Sequence, residues 1–280
     1  MIFDKILIVT RPTENDLTIE VREKVIKFCE DNDIMWRINS AYDIDDKNLL
    51  IVSIGGDGTM LGAMRRSLRY NKAIVYGINT GTLGFLSEEF DDNLSRVFQD
   101  IGRDWGHIDE RMALSATVYI DGQPVMEKPL YAINEFVLTP LSVQSVLTTK
   151  ISINKKFVSS NIGSGALVAT ATGSTAMSLS SGGAIVSPST SIMQVVPILP
   201  HTLTSRPVIT SGMDVISLSA SLTQTKNPVE IYGDGVCLGS YEKFHGNEIE
   251  LRIMKHSSCV RVYRPQTWDF FNVLREKMKW

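Results

Sequence analysis

The sequence predicts an α/β domain followed by a β-rich domain, in a chain of 280 residues that is long enough for both. In the first hundred residues, short apolar runs typical of buried strands alternate with stretches of helical periodicity. After about residue 104 the runs become short and rich in β-branched residues, and turn dipeptides such as Asp121-Gly122 and Asp234-Gly235 separate many of them. The first pattern is typical of a parallel sheet covered by helices, and the second of a β-sandwich.

The first domain is predicted to run strand, helix, strand, helix along the chain. Strands are expected at 5–10, 49–54 and 73–78, and helices at 17–32, directly after the glycine turn at 55–59, and near 91–101. In the first helix, Val21, Val25 and Cys29 recur at helical spacing. The tail 267–280 is also predicted to be helical. We place the first domain at 1–103 and the second at 104–266.

The composition and charge exclude several classes of protein. The formal net charge of -3 indicates neither a nucleic-acid partner nor an anionic membrane, and no stretch is as long as a membrane span. The cysteines, Cys29, Cys237 and Cys259, form no CxxC pair, so neither a disulfide framework nor a zinc site is predicted. The N-terminal stretch lacks the basic start and the cleavage site of a signal peptide. We therefore expect a cytoplasmic protein without a dedicated metal-ligand set.

The most informative stretch is GGDGT at 55–59, which follows a predicted buried strand. It is not a Walker loop, because the chain contains no Gly-Lys dipeptide, and it is not GxGxxG, because Leu61 occupies the third glycine position. Such glycines allow backbone N–H groups to approach phosphate oxygens. Asp57 can accept a proton from a hydroxyl nucleophile, or help to hold a divalent metal bound to those phosphates. The alternative is that Asp57 only caps the following helix.

The stretch NTGTLGFLSE at 79–88 repeats this design after the next strand. Gly81 and Gly84 permit a tight turn, and Asn79 offers a side-chain amide. Phe85 offers a ring on which a base can stack. The alternative is a connecting loop with Phe85 in the core.

Two polar stretches of the second domain favour a nucleotide ligand. Asn134 and Glu135 interrupt the apolar run LYAINEFVL, where burial is costly without partners, and together they suit ribose hydroxyls or a base edge. The alternative is a strand end at which Glu135 faces water. Further along, the hydroxyl-rich TGST at 172–175 opens a predicted short helix, an arrangement that suits an anion or a ribose phosphate.

These motifs, in this order, resemble those of the NAD kinase family. The resemblance covers the whole chain and rests on GGDGT, NTGTLGFL, NE, TGSTAMSLSSGG and PILPHTLTSRP, with DFFNVLREKMKW like the family's C-terminal helix. It implies transfer of the terminal phosphate of ATP to the adenosine ribose 2′-hydroxyl of NAD, with a divalent cation, usually Mg²⁺. It further implies that the final helix returns to the α/β domain, that the sandwich binds the dinucleotide, and that the protein is a homo-oligomer, a tetramer or a dimer.

The resemblance also assigns residues. Asp57 matches the family's proton acceptor. The positions that match ATP contacts are Gly55, Gly56, Gly58, Thr59 and Asn79. The positions that match NAD contacts are Asp57, Gly58, Phe85, Asn134, Glu135, Ser164, Thr175, Ala176, Met177, Ser178 and Ser180.

The chain departs from the family pattern mainly on the dinucleotide side. Met177 replaces a tyrosine, Ser164 an aspartate, Ala171 a proline and Val236 a glutamine, whereas the GGDGT loop is intact. Two alternative functions therefore stay open. One is a kinase that acts on a lipid or another alcohol, and the other is a nucleotide-binding regulator that has lost turnover.

Overall fold

The computed structural model describes residues 3–43, 48–70, 72–82, 84–90, 93–103, 105–142 and 145–280. The chain divides into two units, one formed by Met1–Arg111 with Cys259–Trp280 and the other by Met112–Ser258. The helices are α1 (Asp16–Asp31), α2 (Asp57–Ser67), α3 (Leu94–Gly102), α4 (Met177–Ser180) and α5 (Phe270–Met278). The strands are β1 (Lys5–Val9), β2 (Met35–Ile38), β3 (Leu49–Ile54), β4 (Ile74–Asn79), β5 (Glu88–Glu89), β6 (His107–Arg111), β7 (Leu114–Ile120), β8 (Gln123–Pro124), β9 (Leu130–Ala132), β10 (Glu135–Pro140), β11 (Leu147–Ile153), β12 (Lys156–Gly163), β13 (Ala166–Thr170), β14 (Ile192–Pro197), β15 (Val208–Ser211), β16 (Ile216–Ser221), β17 (Val229–Gly233), β18 (Val236–Tyr241), β19 (Glu248–Lys255) and β20 (Val260–Arg264).

The first unit confirms the predicted α/β arrangement. Its sheet has the order β2-β1-β3-β4-β20-β6, and every pair is parallel except the last. All residues of β3 and of β4 are buried, which is typical of parallel strands with both faces covered. Residues 91 and 92 of the third predicted helix lie outside the described residues, and the helix observed there is α3.

Four strands of this sheet differ from the sequence prediction. Strand β5, which pairs with β4, was not predicted. Strand β2 was not predicted either, and its side chains are mostly exposed, so the sequence carries no apolar period there. Strands β6 and β20 fall in the segment that the sequence boundaries assign to the second domain, but they extend the first unit's sheet beside β4. Helix α5 also belongs to the first unit, and Asp269 caps it by accepting the Phe271 N–H at 2.8 Å.

The second unit confirms the predicted sandwich. One sheet has the order β15-β14-β13-β10-β17-β18 and the other β12-β11-β16-β19-β7-β8, with β9 beside β7. Their pairings are antiparallel, and side chains from both sheets share one core, for example Phe136, Val168, Leu218 and Leu251.

This framework fixes where the polar loops emerge. Strands β3 and β4 are parallel neighbours, so the loops that follow them leave at the same edge of the sheet. At such an edge ligands bind in α/β folds. In the part of the chain that the structure describes, no helix is both long and apolar enough to cross a membrane.

Candidate active site

The GGDGT turn connects β3 directly to α2. Gly55 has a φ of 147°, which favours glycine, and a Cβ there would lie 2.5 Å from Thr59 Oγ1. Gly56 is the residue before α2 and has no side chain to cap it. The first amides of the helix are therefore not covered by a capping side chain, which is the arrangement that binds phosphate.

Asp57 does not serve as the cap of this helix, because the cap position belongs to Gly56. Its carboxylate instead accepts hydrogen bonds from the backbone N–H of Phe85 at 2.8 Å and of Leu86 at 3.1 Å. A Cβ on Gly84 would overlap Asp57 Oδ1, so only glycine allows this approach. The carboxylate thus holds the two glycine loops together.

The second loop is shaped by its own side chains. Asn79 is buried and uses its amide within the loop, donating to Thr82 O at 2.8 Å and accepting from the Gly81 N–H at 2.8 Å. This bonding gives Asn79 a loop-shaping role. Phe85 is half-buried, and Lys277 Nζ lies 5.7 Å from the centre of its ring. Leu83 lies outside the described residues.

The two loops border a cleft of about 420 Å³ in the first unit. The described residues that line it are Arg11, Thr13, Asn15, Thr18, Ile54, Gly55, Gly56, Asp57, Thr80, Gly81, Thr82, Gly84 and Lys277. Sequence reasoning missed Arg11, although it follows β1 closely and so leaves the sheet at the same edge as the glycine turn. Nothing in the sequence pattern pointed to Lys277, which comes from α5.

In the second unit, Asp234 organises the NE stretch. Its carboxylate accepts from the backbone N–H of Ile133 at 3.0 Å and of Asn134 at 2.7 Å. The Thr170 hydroxyl donates to Ile133 O at 2.7 Å, on the other side of this short connection between β9 and β10. Sequence reasoning recognised Asp234 only as part of a turn and missed this role.

Glu135 is buried rather than facing water. It is 5% exposed, and its Oε2 has no hydrogen-bond partner among the described residues. Burial, followed by the nearby charge of Asp234, raises its pKa to about 7, and a hydrogen bond from the Met177 N–H partly opposes that rise. A buried carboxylate oxygen without a partner is costly and is typical of a site that a ligand completes.

The hydroxyl-rich turn packs against the NE stretch. Residues Thr172–Thr175 form a 3₁₀ turn before α4, and a Cβ on Gly173 would overlap the carbonyl oxygen of Asn134. Ser178 is fully buried, and its hydroxyl accepts from Gln194 Nε2 at 2.7 Å, so its side chain supports the turn. Thr175 is half-buried, and Met177 and Ser180 are exposed.

Ser164 lies apart from this cluster. It precedes β13, whereas Glu135 pairs with Ala169 near the other end of that strand. At 3.2–3.4 Å per residue, the two ends are about 15 Å apart. Its hydrogen bonds are made by its backbone, which donates to Ile198 and accepts from Thr139.

The comparisons with known proteins agree with the two-domain fold. The model of the ATP-NAD kinase N-terminal domain matches residues 6–104, and that of the ATP-NAD kinase C-terminal domain matches residues 133–252. An NAD kinase of Fusobacterium nucleatum is 34% identical over 268 residues, covering 93% of this chain and 95% of that protein. An NAD kinase of Sulfurimonas denitrificans is 33% identical over 230 residues, covering 82% and 77%.

Two solved structures share the fold. Yeast NADH kinase complexed with NADH has a TM-score of 0.85 at 20% identity, covering 99% of this chain and 88% of that one. An NAD kinase from Archaeoglobus fulgidus in complex with ATP has a TM-score of 0.74 at 19% identity, covering 98% of both. The two domain models together span most of the sequence, and the chain therefore belongs to the ATP-NAD kinase family.

Proposed function

We propose that this chain transfers the terminal phosphate of ATP to the 2′-hydroxyl of the adenosine ribose of NAD, giving NADP. The observation that carries the proposal is the glycine-rich cleft, in which Asp57 is fixed beside uncapped helix amides. A kinase that phosphorylates an alcohol needs a proton acceptor next to the phosphoryl group. In this cleft, Asp57 would be the proton acceptor and the helix amides would bind the phosphate.

On the phosphate side, the transferred group would be lined by the backbone of Gly55, Gly56 and Gly58 and by the first turn of α2 at Thr59. Asn79 supports this side indirectly, because its amide fixes the loop at 79–82. These amides neutralise charge that spreads over the phosphate oxygens in the transition state, and they need no rearrangement to do so.

On the acceptor side, we assign recognition of the ribose to Asn134 and Glu135. The unpartnered Oε2 of Glu135 suits a hydroxyl donor, since an ionised carboxylate only accepts hydrogen bonds. Further contacts with the dinucleotide are proposed for Phe85, Thr175, Ala176, Met177 and Ser180. The contacts predicted for Ser164 and Ser178 stay predictions; the Ser178 hydroxyl bonds to Gln194, and Ser164 precedes β13.

In the transfer step, the 2′-oxygen attacks the terminal phosphorus while its proton passes to the Asp57 carboxylate. The bond between that phosphorus and the bridging oxygen breaks, and ADP leaves with the electron pair. The two loop amides use one lone pair on each carboxylate oxygen, so each oxygen keeps capacity to accept the proton. The same amides fix the direction in which the carboxylate points.

A divalent cation fits the oxygen-rich lining of the cleft. Mg²⁺ is usually held by one or two carboxylates together with substrate phosphates. Asp57 is the carboxylate among the described lining residues, and threonines line the same cleft. Among the described residues, no three His, Cys, Asp or Glu side chains form a metal cluster, so the donor phosphates would supply most of the ligands. When bound, Mg²⁺ would neutralise charge on the phosphates.

The substrates named for the similar structures, NADH and ATP, support this assignment. A reducing, cytoplasmic compartment is part of the proposal, because Cys237 and Cys259 are exposed free thiols. So is a homo-oligomer, a tetramer or a dimer, which the family resemblance implies.

The test is to incubate the protein with ATP, Mg²⁺ and NAD and to detect NADP with an NADP-specific dehydrogenase. NADP formation that depends on ATP supports the proposal. Consumption of ATP only when another alcohol or a lipid is added would establish the alternative kinase. Tight binding of NAD and ATP without NADP would establish the regulator.

A further inference from the structure

The donor cleft lacks the lysine that a Walker loop provides, yet a nucleoside triphosphate carries several negative charges. We propose that Arg11 and Lys277 together supply the missing positive charge and position the donor phosphates. This inference rests on the proposed function, because it concerns the phosphate side of the same site.

Arg11 lies directly over the glycine turn. Its Nη2 is 2.8 Å from the place that a Cβ on Gly58 would occupy, so the guanidinium reaches the start of α2. Its side chain has no hydrogen bond or ion pair with any described residue. A guanidinium presents a planar set of donors that matches phosphate oxygens, which makes Arg11 suited to bind two of them at once.

Lys277 reaches the cleft from α5, near the C-terminal end of the sequence. Its ammonium lies 5.7 Å from the centre of the Phe85 ring, beside the second glycine loop. Within the described part of the chain it has no ion pair either. A compact ammonium on a flexible stem acts as a point charge, so Lys277 can follow the phosphates without fixing their orientation.

The charges of the cleft favour an anion. Arg11 and Lys277 are the cations among the described lining residues, and Asp57 is the acidic residue there. Asp57 is already hydrogen-bonded to two loop amides and forms no ion pair with either cation in the described chain. The positive end of α2 adds to the two side chains.

A second, independent observation concerns Thr59, in the first turn of α2 after the glycine turn. The Oγ1 of Thr59 is buried without a hydrogen-bond partner among the described residues, and Thr59 is 5% exposed. This hydroxyl packs against Gly55, which lines the cleft. A buried hydroxyl without a partner costs free energy unless something bonds to it, and a phosphate oxygen would do so.

The experiment measures the binding of ATP with Mg²⁺ by calorimetry, without NAD, so that turnover plays no part. We expect the Kd for ATP to rise about tenfold in Arg11→Ala and about threefold to fivefold in Lys277→Ala, because both side chains are solvent-exposed. Arg11→Lys should restore part of the affinity. The Kd for NAD should stay within twofold of the wild-type value.

The matched controls are Arg103→Ala and Arg275→Ala. Both arginines are exposed and lie outside the cleft lining, and Arg275 is on the same helix as Lys277. Added salt should weaken ATP binding to the wild type more steeply than to the Arg11→Ala and Lys277→Ala variants, since screening acts on charge. A structural role would leave that salt dependence unchanged.

The outcomes separate the two proposals. If ATP binds equally well to the wild type and to both variants, the positioning role of Arg11 and Lys277 is wrong, whether or not NADP is made. If both variants lose ATP affinity but the wild type makes no NADP, the role of the cations stands and the proposed function fails. Circular dichroism melting of each variant shows whether a loss reflects unfolding instead.

Discussion

Two carboxylates, Asp57 in the first unit and Glu135 in the second, are held in contrasting ways by the fold. Asp57 receives two backbone N–H groups from the second glycine loop. Glu135 receives one backbone N–H, from Met177, and its Oε2 is buried without a described partner. Asp57 is therefore held in one orientation by the protein alone, whereas Glu135 lacks one partner that a bound ligand can provide.

The difference fits the two proposed roles, in which Asp57 accepts the proton and Glu135 recognises the ribose. A proton acceptor benefits from a fixed direction, because reacting atoms must meet in a narrow range of geometries. A recognition group benefits from an unsatisfied atom, because the bond formed on binding then removes the cost of leaving it buried. Five variants or conditions test this contrast.

The largest effect is expected for Asp57→Asn. An amide cannot take up the proton, so kcat for NADP formation should fall about 10²–10⁴-fold while NAD still binds. Steady-state kinetics and NAD binding by calorimetry measure this. Ser87→Ala is the control, because Ser87 Oγ is only a long 3.4 Å contact of the same carboxylate. A near-normal kcat in Asp57→Asn would reduce Asp57 to a loop anchor.

The next effect is expected for Glu135→Ala, which removes the unpartnered carboxylate. A hydrogen bond to a charged group contributes about 1.5–3 kcal/mol, so KM for NAD should rise about 10- to 150-fold, and KM for ATP far less. Both constants are measured in the coupled assay, with the exposed Glu248→Ala as control. Equal increases in the two KM values would show that Glu135 is structural.

Gly84→Ala should separate Asp57 from the loop that orients it. The added Cβ overlaps Asp57 Oδ1, and such overpacking costs about 1–3 kcal/mol. The melting temperature and kcat should both fall. Gly81→Ala is the matched control, because its Cβ would meet Asn79 Oδ1 only at 3.7 Å, an ordinary contact. If the two variants behave alike, the Asp57 contact is not what the glycine protects.

The acidity of Glu135 should appear in NAD binding. With its pKa raised to about 7, the carboxylate is mostly ionised at pH 8 and mostly protonated at pH 6. If the ionised form accepts ribose hydroxyls, NAD binds more weakly as the pH falls, with Kd about tenfold higher at pH 6 than at pH 8. Calorimetry at both values tests this, and Glu135→Gln should remove the dependence. A pH dependence that persists in that variant would show that Glu135 does not cause it.

The smallest effect is expected for Met177→Tyr. The Met177 backbone N–H supports Glu135, but its side chain is 42% exposed, so a ring can replace it without repacking a core. A gained hydroxyl contact contributes about 1 kcal/mol, so KM for NAD should fall by several-fold at most, with kcat almost unchanged. The coupled assay measures both constants. Weaker NAD binding in this variant would indicate a pocket shaped around methionine.

Local patterns were sufficient for two elements of the first unit. The continuous apolar run LLIVSI predicted β3, which is buried throughout, and the apolar stripe from Met60 to Leu68 predicted α2, whose buried side chains follow helical spacing. The motifs were also recognised from the sequence, because glycines at the end of a strand allow the backbone to approach a ligand closely. The family resemblance and the order of the two domain types followed from these alone.

Other features depend on contacts between distant parts of the sequence. Strand β20 joins β4 across nearly two hundred residues, and Lys277 reaches the glycine loops from α5. Neither placement has a local signature, because sheet order and helix docking are set by which buried faces can be covered together. The sequence alone shows that Asp57 follows one apolar run and that Glu135 interrupts another. The two amides that hold Asp57 and the unpartnered oxygen of Glu135 became visible only with the packing around them. Burial and hydrogen-bond partners come from residues remote in the chain, so no local pattern carries them.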